Sequence, residues 1–319
     1  MDNATQSGSR VSRRRFLGTS GAGIAVGLGA ALSLNGTHAA QTEVPETWDL
    51  EADVVVIGAG GAGTTAAIEA ARAGASVMVF EKASTAGGNT AHSGGVAYIG
   101  GGTPIQKANG FEDTPDNMYA YLELQMGPTA DLERLRYYCD HSVEHFEWLV
   151  EAGVTFGEEY FEGKVVQPSA ETGGLYFSDN QTNSPFSEQI DPMPRGHMSP
   201  GAGAGFYKPL KETADGLPIE WQFNTRGERL IVDGDRIVGI VVQTGIADPA
   251  APTADGTPAD ATPTAESRTL NVKANKGVIL TTGGFQFNKE MLEDHAPWYL
   301  NAFGLGGPHL GDDGSGRRR

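Results

Sequence analysis

Asp53 to Lys82 reads DVVVIGAGGAGTTAAIEAARAGASVMVFEK, and this stretch decides the fold. Val54 to Ile57 is a short, wholly apolar, β-branched run, the pattern of a parallel strand buried on both faces. Gly58, Gly60 and Gly63 follow directly as G-x-G-x-x-G. Thr64 to Ala73 has the alanine-rich composition of a helix packed close on a sheet, and Gly74 suits its stop. Ser76 to Phe80 is a second strand, closed by Glu81 eighteen positions after Gly63. The three glycines have separate roles. Gly58 turns the chain tightly, Gly60 lets backbone approach a pyrophosphate, and Gly63 lets helix and strand touch. The helix N-terminus offers unpaired N–H groups and roughly half a positive charge to the phosphates. Glu81 is placed to accept hydrogen bonds from ribose hydroxyls, and as an acid it would repel a 2′-phosphate. A lone G-x-G-x-x-G says little. Strand, glycines, helix, second strand and terminal acid in register specify a Rossmann-like α/β fold.

The rest of the composition narrows the function. With 40 acidic against 23 basic residues the 319-residue chain carries a formal net charge of −17, which argues against nucleic acid and anionic membrane surfaces as partners. Only eight of the 23 basic residues are lysine, a balance that suits a high-salt habitat. The single cysteine, Cys139, excludes an internal disulfide and any multi-cysteine metal or iron–sulfur site. No segment after residue 40 is long and apolar enough to span a bilayer.

Residues 1–40 read as an address. Ser12-Arg13-Arg14-Arg15-Phe16-Leu17 is a twin-arginine signal, and Thr37-His38-Ala39 is a small-residue cleavage site. Six glycines between Phe16 and Gly36 make a poor spanning helix, so cleavage is favoured over an uncleaved anchor. The expectation is export by the twin-arginine machinery, which moves folded proteins and suits one that must collect a cofactor first.

After the dinucleotide unit comes Ala86-Gly87-Gly88-Asn89-Thr90-Ala91-His92-Ser93-Gly94-Gly95, where backbone could lie against a flat ligand. VVVIGAGGAG, then EK, then GGNTAHSGG resembles the FAD-dependent family of bacterial fumarate reductases and 3-ketosteroid dehydrogenases. The nine-residue spacing of GGNTAHSGG is closer to the ketosteroid dehydrogenase branch. In covalent-flavin relatives a histidine stands where this chain has Asn89, so the resemblance implies FAD held non-covalently; His92 is displaced from that position. Lys276 to Phe285, KGVILTTGGF, resembles the family's second signature, a buried strand ending beside the dinucleotide, and Gly311-Asp312-Asp313-Gly314 resembles its G-D-G turn. The cofactor residues this implies are Gly58, Gly60, Gly61, Ala62, Gly63, Glu81, Lys82, Gly88, Asn89, Thr90, Ser93, Gly94, Gly95, Thr282, Gly283, Gly284 and Asp313. Glu81 alone would also allow NAD; GGNTAHSGG and T-G-G-F favour FAD.

Between these signatures the chain reads as an insertion over about 103–205. Thr114 is a cap with Pro115 at the first helical position. From Asp131 the apolar positions Leu132, Leu135, Cys139, Val143, Phe146 and Val150 keep helical spacing, which places Cys139 in a buried, inert stripe. His141-Ser142-Val143-Glu144-His145 formally fits H-x-x-E-H, but no third ligand is indicated and no metal is expected. Residues 157–205 are loop-rich, ending in the glycine cluster Gly201 to Gly205 before a helix over about 206–215. Tyr160 and His197 are candidates for the substrate side of a flavin, with the structural reading favoured for both. Ile219 to Thr225 is a strand, and Glu228–Val232 and Arg236–Val242 flank Asp233-Gly234-Asp235 as a hairpin. Residues 246–268, with four prolines and no aromatic residue, read as a disordered hairpin tip.

The resemblance covers about residues 50–316. In the family the G-D-G turn lies little more than halfway along, ahead of a substrate domain that carries the acid–base residues. The expectation is therefore an incomplete FAD-binding domain over 49–319, with that second domain absent, catalytic residues unknown and no turnover by this chain alone. The family chemistry is hydride exchange between flavin and a carbon next to a carbonyl or carboxylate, with a small-molecule substrate and an unnamed electron donor or acceptor. The alternative is a non-catalytic FAD-binding remnant.

Overall fold

The computed structural model describes residues 44–162, 167–248, 262–303 and Gly314. The twin-arginine signal, its cleavage site and Asp313 lie outside the described residues. Strand β1 (Leu50–Ile57) ends at Gly58, helix α1 (Gly61–Arg72) runs back, and β2 (Val77–Phe80) returns parallel to β1 in the register Val54↔Val77 to Ile57↔Phe80. This is the predicted unit, with α1 beginning at Gly61 rather than Thr64. Alternate residues of β1 and β2 face opposite sides. Val56, Val77 and Val79 pack on Ala67 and Ala71 of α1, while Val55, Ile57, Met78 and Phe80 fill a second cluster with Ile240 and Val242. All four β2 residues are buried because both faces are covered.

The chain continues through α2 (Gly88–His92), β3 (Val96–Tyr98), α3 (Pro104–Ala108), α4 (Pro115–Met126), α5 (Leu132–Asp140), α6 (Ser142–Glu151), β4 (Gly174–Tyr176), β5 (Gly196–Met198) and α7 (Ala202–Asp215). It re-enters the sheet as β6 (Ile219–Gln222), β7 (Arg226–Asp233), β8 (Arg236–Ile246) and β9 (Pro263–Leu280), followed by α8 (Lys289–His295) and α9 (Pro297–Phe303). The main sheet has the order β6-β2-β1-β9-β8-β7. Its first four strands are parallel, and β8 and β7 join antiparallel. Long β9 serves both halves: Val272 to Leu280 pairs with β1, and Pro263 to Lys273 pairs with β8.

Three expectations are corrected. The unpaired tip assigned to 246–268 is shorter, because pairing reaches Ile246↔Pro263; residues 249–261 lie outside the described residues. The apolar stripe from Leu132 to Val150 is two helices that break at His141, leaving Leu132 and Val150 exposed and burying Leu149 instead. Buried Ser142 opens the second helix by accepting the Gly100 N–H at 3.1 Å. The loop-rich 157–205 region contributes β4 and β5 to a small antiparallel sheet of order β3-β5-β4. The Thr114 cap is as expected, its hydroxyl accepting the Asn117 N–H with Pro115 following.

The insertion is built on a buried ion pair. Arg195 Nε and Nη2 donate to Asp113 Oδ2 and Oδ1 at 2.8 and 2.7 Å, both residues being buried. Gly101 N–H and the Gln106 and Asn117 amides complete the carboxylate's shell, and Gln181 Oε1 accepts from Arg195 Nη1. Burial alone would raise the Asp113 carboxyl; the Arg195 guanidinium reverses this and holds it below its ordinary value. Such a pair is costly to break from one side.

His197, on β5, is fully buried against Phe146 and Phe156. Its Nδ1 lies 3.2 Å from the Arg195 carbonyl and its Nε2 2.9 Å from the Thr103 hydroxyl. Tyr160 packs edge-on to Phe111 and Phe177. Both side chains are packing residues of the insertion. Burial pushes the His197 imidazole down to about 4. The unfolded chain takes up the proton near pH 6.5 and the folded chain only near 4, so stability falls as pH drops through that window. We expect unfolding free energy to fall by about 2 kcal/mol at pH 5 and about 3 kcal/mol at pH 4 on this account. Urea unfolding at pH 7, 5 and 4 measures the loss. An imidazole resonance of His197 titrating near pH 6.5 in the folded protein would refute the assignment.

Candidate functional site

The glycine loop stands where β1 meets α1, and its geometry gives each of the three glycines a different role. Gly58 has φ +103, and Thr281 backs it: the Thr281 N–H donates to the Ile57 carbonyl at 2.9 Å, and its hydroxyl lies 2.8 and 3.0 Å from the Ile57 and Gly58 carbonyls. A Cβ on Gly63 would lie 1.8 Å from the Gly58 carbonyl oxygen, so strand and helix touch there as the sequence predicts. Around Gly60 the reverse holds. A Cβ there would meet only the Gly87 oxygen, at 3.9 Å. Gly60 caps α1 with no side-chain hydrogen bond of its own, so the first-turn N–H groups after Gly61 are left to an outside acceptor.

A second loop runs beside the first, with Gly60 and Gly87 bridged in parallel. The Gly87 N–H donates to the Ala59 carbonyl at 2.9 Å, and Thr90 Oγ1 accepts the Gly61 N–H at 3.1 Å. Gly88 lies closest to Gly60, the nearest atom to a Cβ built on it being Gly60 Cα at 3.4 Å. The two segments expected to carry a dinucleotide therefore lie side by side in contact, and glycine at position 60 leaves the space over their junction open. Ser93 and Gly95 have a different role. The Ser93 hydroxyl closes its own turn on the Thr90 carbonyl and accepts the Gly95 N–H. A Cβ on Gly95 would collide with the Ala202 backbone at 2.2 Å.

The second glycine cluster is explained by the same packing. The Gly203 N–H donates to the Ser93 carbonyl, and a Cβ on Gly203 would lie 2.4 Å from the Thr90 carbonyl oxygen. Gly203 thus lets α7 lie directly on α2.

Glu81 is buried at the end of β2. Its Oε2 accepts the Ala59 N–H at 2.7 Å and its Oε1 accepts the Ala83 N–H at 2.9 Å. The sequence marks Glu81 for ribose; the fold also makes it a brace for the glycine loop. Each carboxylate oxygen retains a lone pair, so both roles are compatible. The link between β6 and β7 completes this end, with Thr225 N–H on the Glu81 carbonyl and Asn224 N–H on the Ala83 carbonyl. Gly283 has φ +77, and the Gly284 carbonyl accepts the Gly314 N–H at 3.0 Å, which places the last glycine of the G-D-G turn beside T-G-G-F.

Two residues that hold the loop escaped sequence reasoning. One is Thr281, next to the named Thr282; the T-T-G-G-F run contained the signal. The other is Tyr207 of α7, whose hydroxyl donates to the Ala59 carbonyl at 2.8 Å. No motif pointed to it. Cys139 is fully buried with Met118 and Leu135, and burial raises its thiol to about 11, which leaves it protonated and unreactive. His141 pairs with Glu144 at 2.7 Å on an exposed helix turn.

The donors and open ground fit FAD: the first-turn N–H groups of α1 after Gly61, open space over Gly60 where it meets the Gly87–Gly88 loop, and an acid at the end of β2. Residues 53–316 match the model of a family described as FAD binding domain. The chain is 39% identical to the crystal structure of a 3-ketosteroid Δ4-(5α)-dehydrogenase from Rhodococcus jostii RHA1 solved with 4-androstene-3,17-dione, with a TM-score of 0.74, covering 85% of this chain and 53% of that one. It is 34% identical over 203 residues to 3-oxo-5-alpha-steroid 4-dehydrogenase of Comamonas testosteroni, 61% of this chain and 38% of that protein. It is 28% identical over 290 residues to the acrylate reductase flavoprotein subunit of Shewanella woodyi, 88% of this chain and 48% of that protein. The chain thus spans about half the length, or less, of these curated relatives.

Substitutions should separate folding from binding. Gly63→Ala has nowhere to put its methyl and should destabilise the chain by about 3 kcal/mol. Gly60→Ala should fold to within about 1 kcal/mol of the parent yet weaken flavin binding by about tenfold or more, because its methyl enters the open ground. Glu81→Ala strands two N–H groups and should lose roughly 1–3 kcal/mol for each buried one, besides weakening binding. Urea unfolding of the apoprotein and flavin fluorescence titration check both readouts. Equal flavin affinity in Gly60→Ala and the parent would remove the cradle from this place.

Proposed function

The chain belongs to the FAD binding domain family of flavoprotein oxidoreductases, and on that premise we propose that it is the FAD-holding part of an exported oxidoreductase acting on a C–C or C=C bond next to a carbonyl. The observation that carries the reading is the open space over Gly60, where it meets the Gly87–Gly88 loop, beside buried Glu81 and the start of α1. When bound, FAD supplies two-electron hydride exchange with a carbon substrate. The residues of this chain hold the cofactor for that exchange. The α1 N–H groups would face the pyrophosphate and Glu81 would accept from the ribose, while Thr281 and Glu81 fix the loop from two sides.

Among substrates, a 3-ketosteroid-like ketone is favoured by the 39% identity to the Rhodococcus jostii dehydrogenase and by the nine-residue spacing of GGNTAHSGG. Non-covalent attachment follows from Asn89, which stands where covalently flavinylated relatives carry histidine. Protein isolated with its flavin should release all of it into the supernatant on denaturation. Under anaerobic conditions a saturated 3-ketosteroid should bleach the visible flavin band of the whole oxidoreductase of which this chain is the FAD-holding part, and an artificial acceptor should restore it. No bleaching with steroid, together with reoxidation of the reduced flavin by acrylate or fumarate, would move the substrate to unsaturated carboxylates.

Export rests on Ser12-Arg13-Arg14-Arg15-Phe16-Leu17 and the small residues at 37–39. Replacing Arg13 and Arg14 together by lysine should retain the precursor inside the cell with its signal uncut. Undiminished export of that double variant, followed by fractionation and immunoblotting, would exclude the twin-arginine route.

A further inference from the structure

Helix α7 does more than cover the sheet. Its Tyr207 is buried between the two loops of the candidate site and touches both. The hydroxyl lies 2.8 Å from the Ala59 carbonyl and 2.8 Å from the Thr64 hydroxyl. With one hydrogen to give, Tyr207 donates to the carbonyl and accepts from Thr64. Its ring edge lies against Gly87: a Cβ on Gly87 would be 3.5 and 3.6 Å from ring atoms Cδ1 and Cε1. The Ala59 carbonyl meanwhile accepts the Gly87 N–H at 2.9 Å, so Tyr207 and Gly87 together fill both its lone pairs. One side chain therefore braces the junction at which the glycine loop and the GGNT segment meet.

We propose that Tyr207 is a positioning residue for the dinucleotide, holding the Ala59 peptide and Gly87 at the separation the pyrophosphate requires. The inference rests on the FAD reading above. It acts through preorganisation: a loop that is in place only a fraction of the time binds more weakly by that fraction. Tyr207→Phe keeps the ring against Gly87 and removes the donor. The Ala59 carbonyl then retains one hydrogen bond, from the Gly87 N–H, and the Ala59–Gly60 peptide is held less firmly. Burial raises the Tyr207 phenol to about 12, so it stays a donor across the working pH range.

The test compares three proteins of full length: parent, Tyr207→Phe and Tyr121→Phe. Tyr121 is a second buried tyrosine, bonded to Asn180 Oδ1 at 2.9 Å in the insertion, and serves as the control for loss of a hydroxyl. Flavin fluorescence titration should show affinity about tenfold weaker for Tyr207→Phe and within twofold of the parent for Tyr121→Phe. Hydrogen exchange of the apoproteins should show the amides of Ala59 to Gly61 exchanging about tenfold faster in Tyr207→Phe alone. If parent and Tyr207→Phe bind flavin equally and exchange these amides equally, the positioning role is wrong. If the parent itself takes no flavin, the FAD reading fails, and unchanged exchange in Tyr207→Phe then sinks the positioning role as well. Equal losses of flavin affinity in both tyrosine variants would mean general destabilisation and would also overturn it.

Discussion

The backbone of a single residue, Ala59, joins the parts of this molecule. Its N–H is taken by Glu81 from the end of β2, and its carbonyl by Gly87 from the second loop and by Tyr207 from α7. The end of β2, the second loop and α7 thus meet on the two peptide groups that flank one Cα. Three hydrogen bonds, one of them to a carboxylate, contribute roughly 0.5–3 kcal/mol each, and in a buried setting an unmet donor or acceptor costs more than the bond contributes. Ala59 stands one residue before Gly60, so the loop that would meet the phosphates is fixed at its stem. Its tip is left bare. That division between a rigid stem and an uncovered tip is what a preorganised anion site demands.

The insertion belongs to the same system of supports. It is anchored on the buried Asp113–Arg195 pair and on an aromatic cluster around Phe146, and Leu210 of α7 packs into that cluster. The helix that reaches the cofactor loop with Tyr207 is thus seated on the insertion's core. Glycine at 203 is what permits its close approach to α2. A buried pair of this kind specifies one arrangement rather than adding much stability of its own, and specification is what a helix needs when its far end must place a hydroxyl within hydrogen-bond reach.

Much of this could be read in the residues, and the gaps have physical causes. The unit from Asp53 to Lys82 was legible because strand, turn and helix each leave a local pattern, and Glu81 closes it at a fixed distance. The brace that Glu81 gives to Ala59 was not, since it depends on how two strand ends lie across a sheet. Thr281 and Tyr207 were invisible for the same reason: their partners are more than a hundred residues away. The break at His141 went unseen because the apolar spacing on either side stays in phase. The strand over Thr264–Arg268 has polar, exposed residues and no apolar rhythm; pairing with β8 imposes its extended form. Tyr160 and His197 show the converse, as residues of chemical appearance that aromatic neighbours turn into packing.

The position of β9 bears on how the chain reaches this state. β1 is flanked by β2, some twenty residues on, and by β9, whose Lys276 meets Asp53 across a separation of 223 residues. Contacts of such range slow folding, because the loop entropy is lost before the contact forms. At ribosomal speeds of about 5–20 residues per second, β1 waits roughly 10–45 s for that neighbour to be made. For that interval the strand leading into the glycine loop has one open edge of valines, a template for pairing with another chain. The segment that first announces the fold in the sequence is therefore among the last to be closed in it, and the nascent chain has most need of a chaperone along Val54 to Ile57.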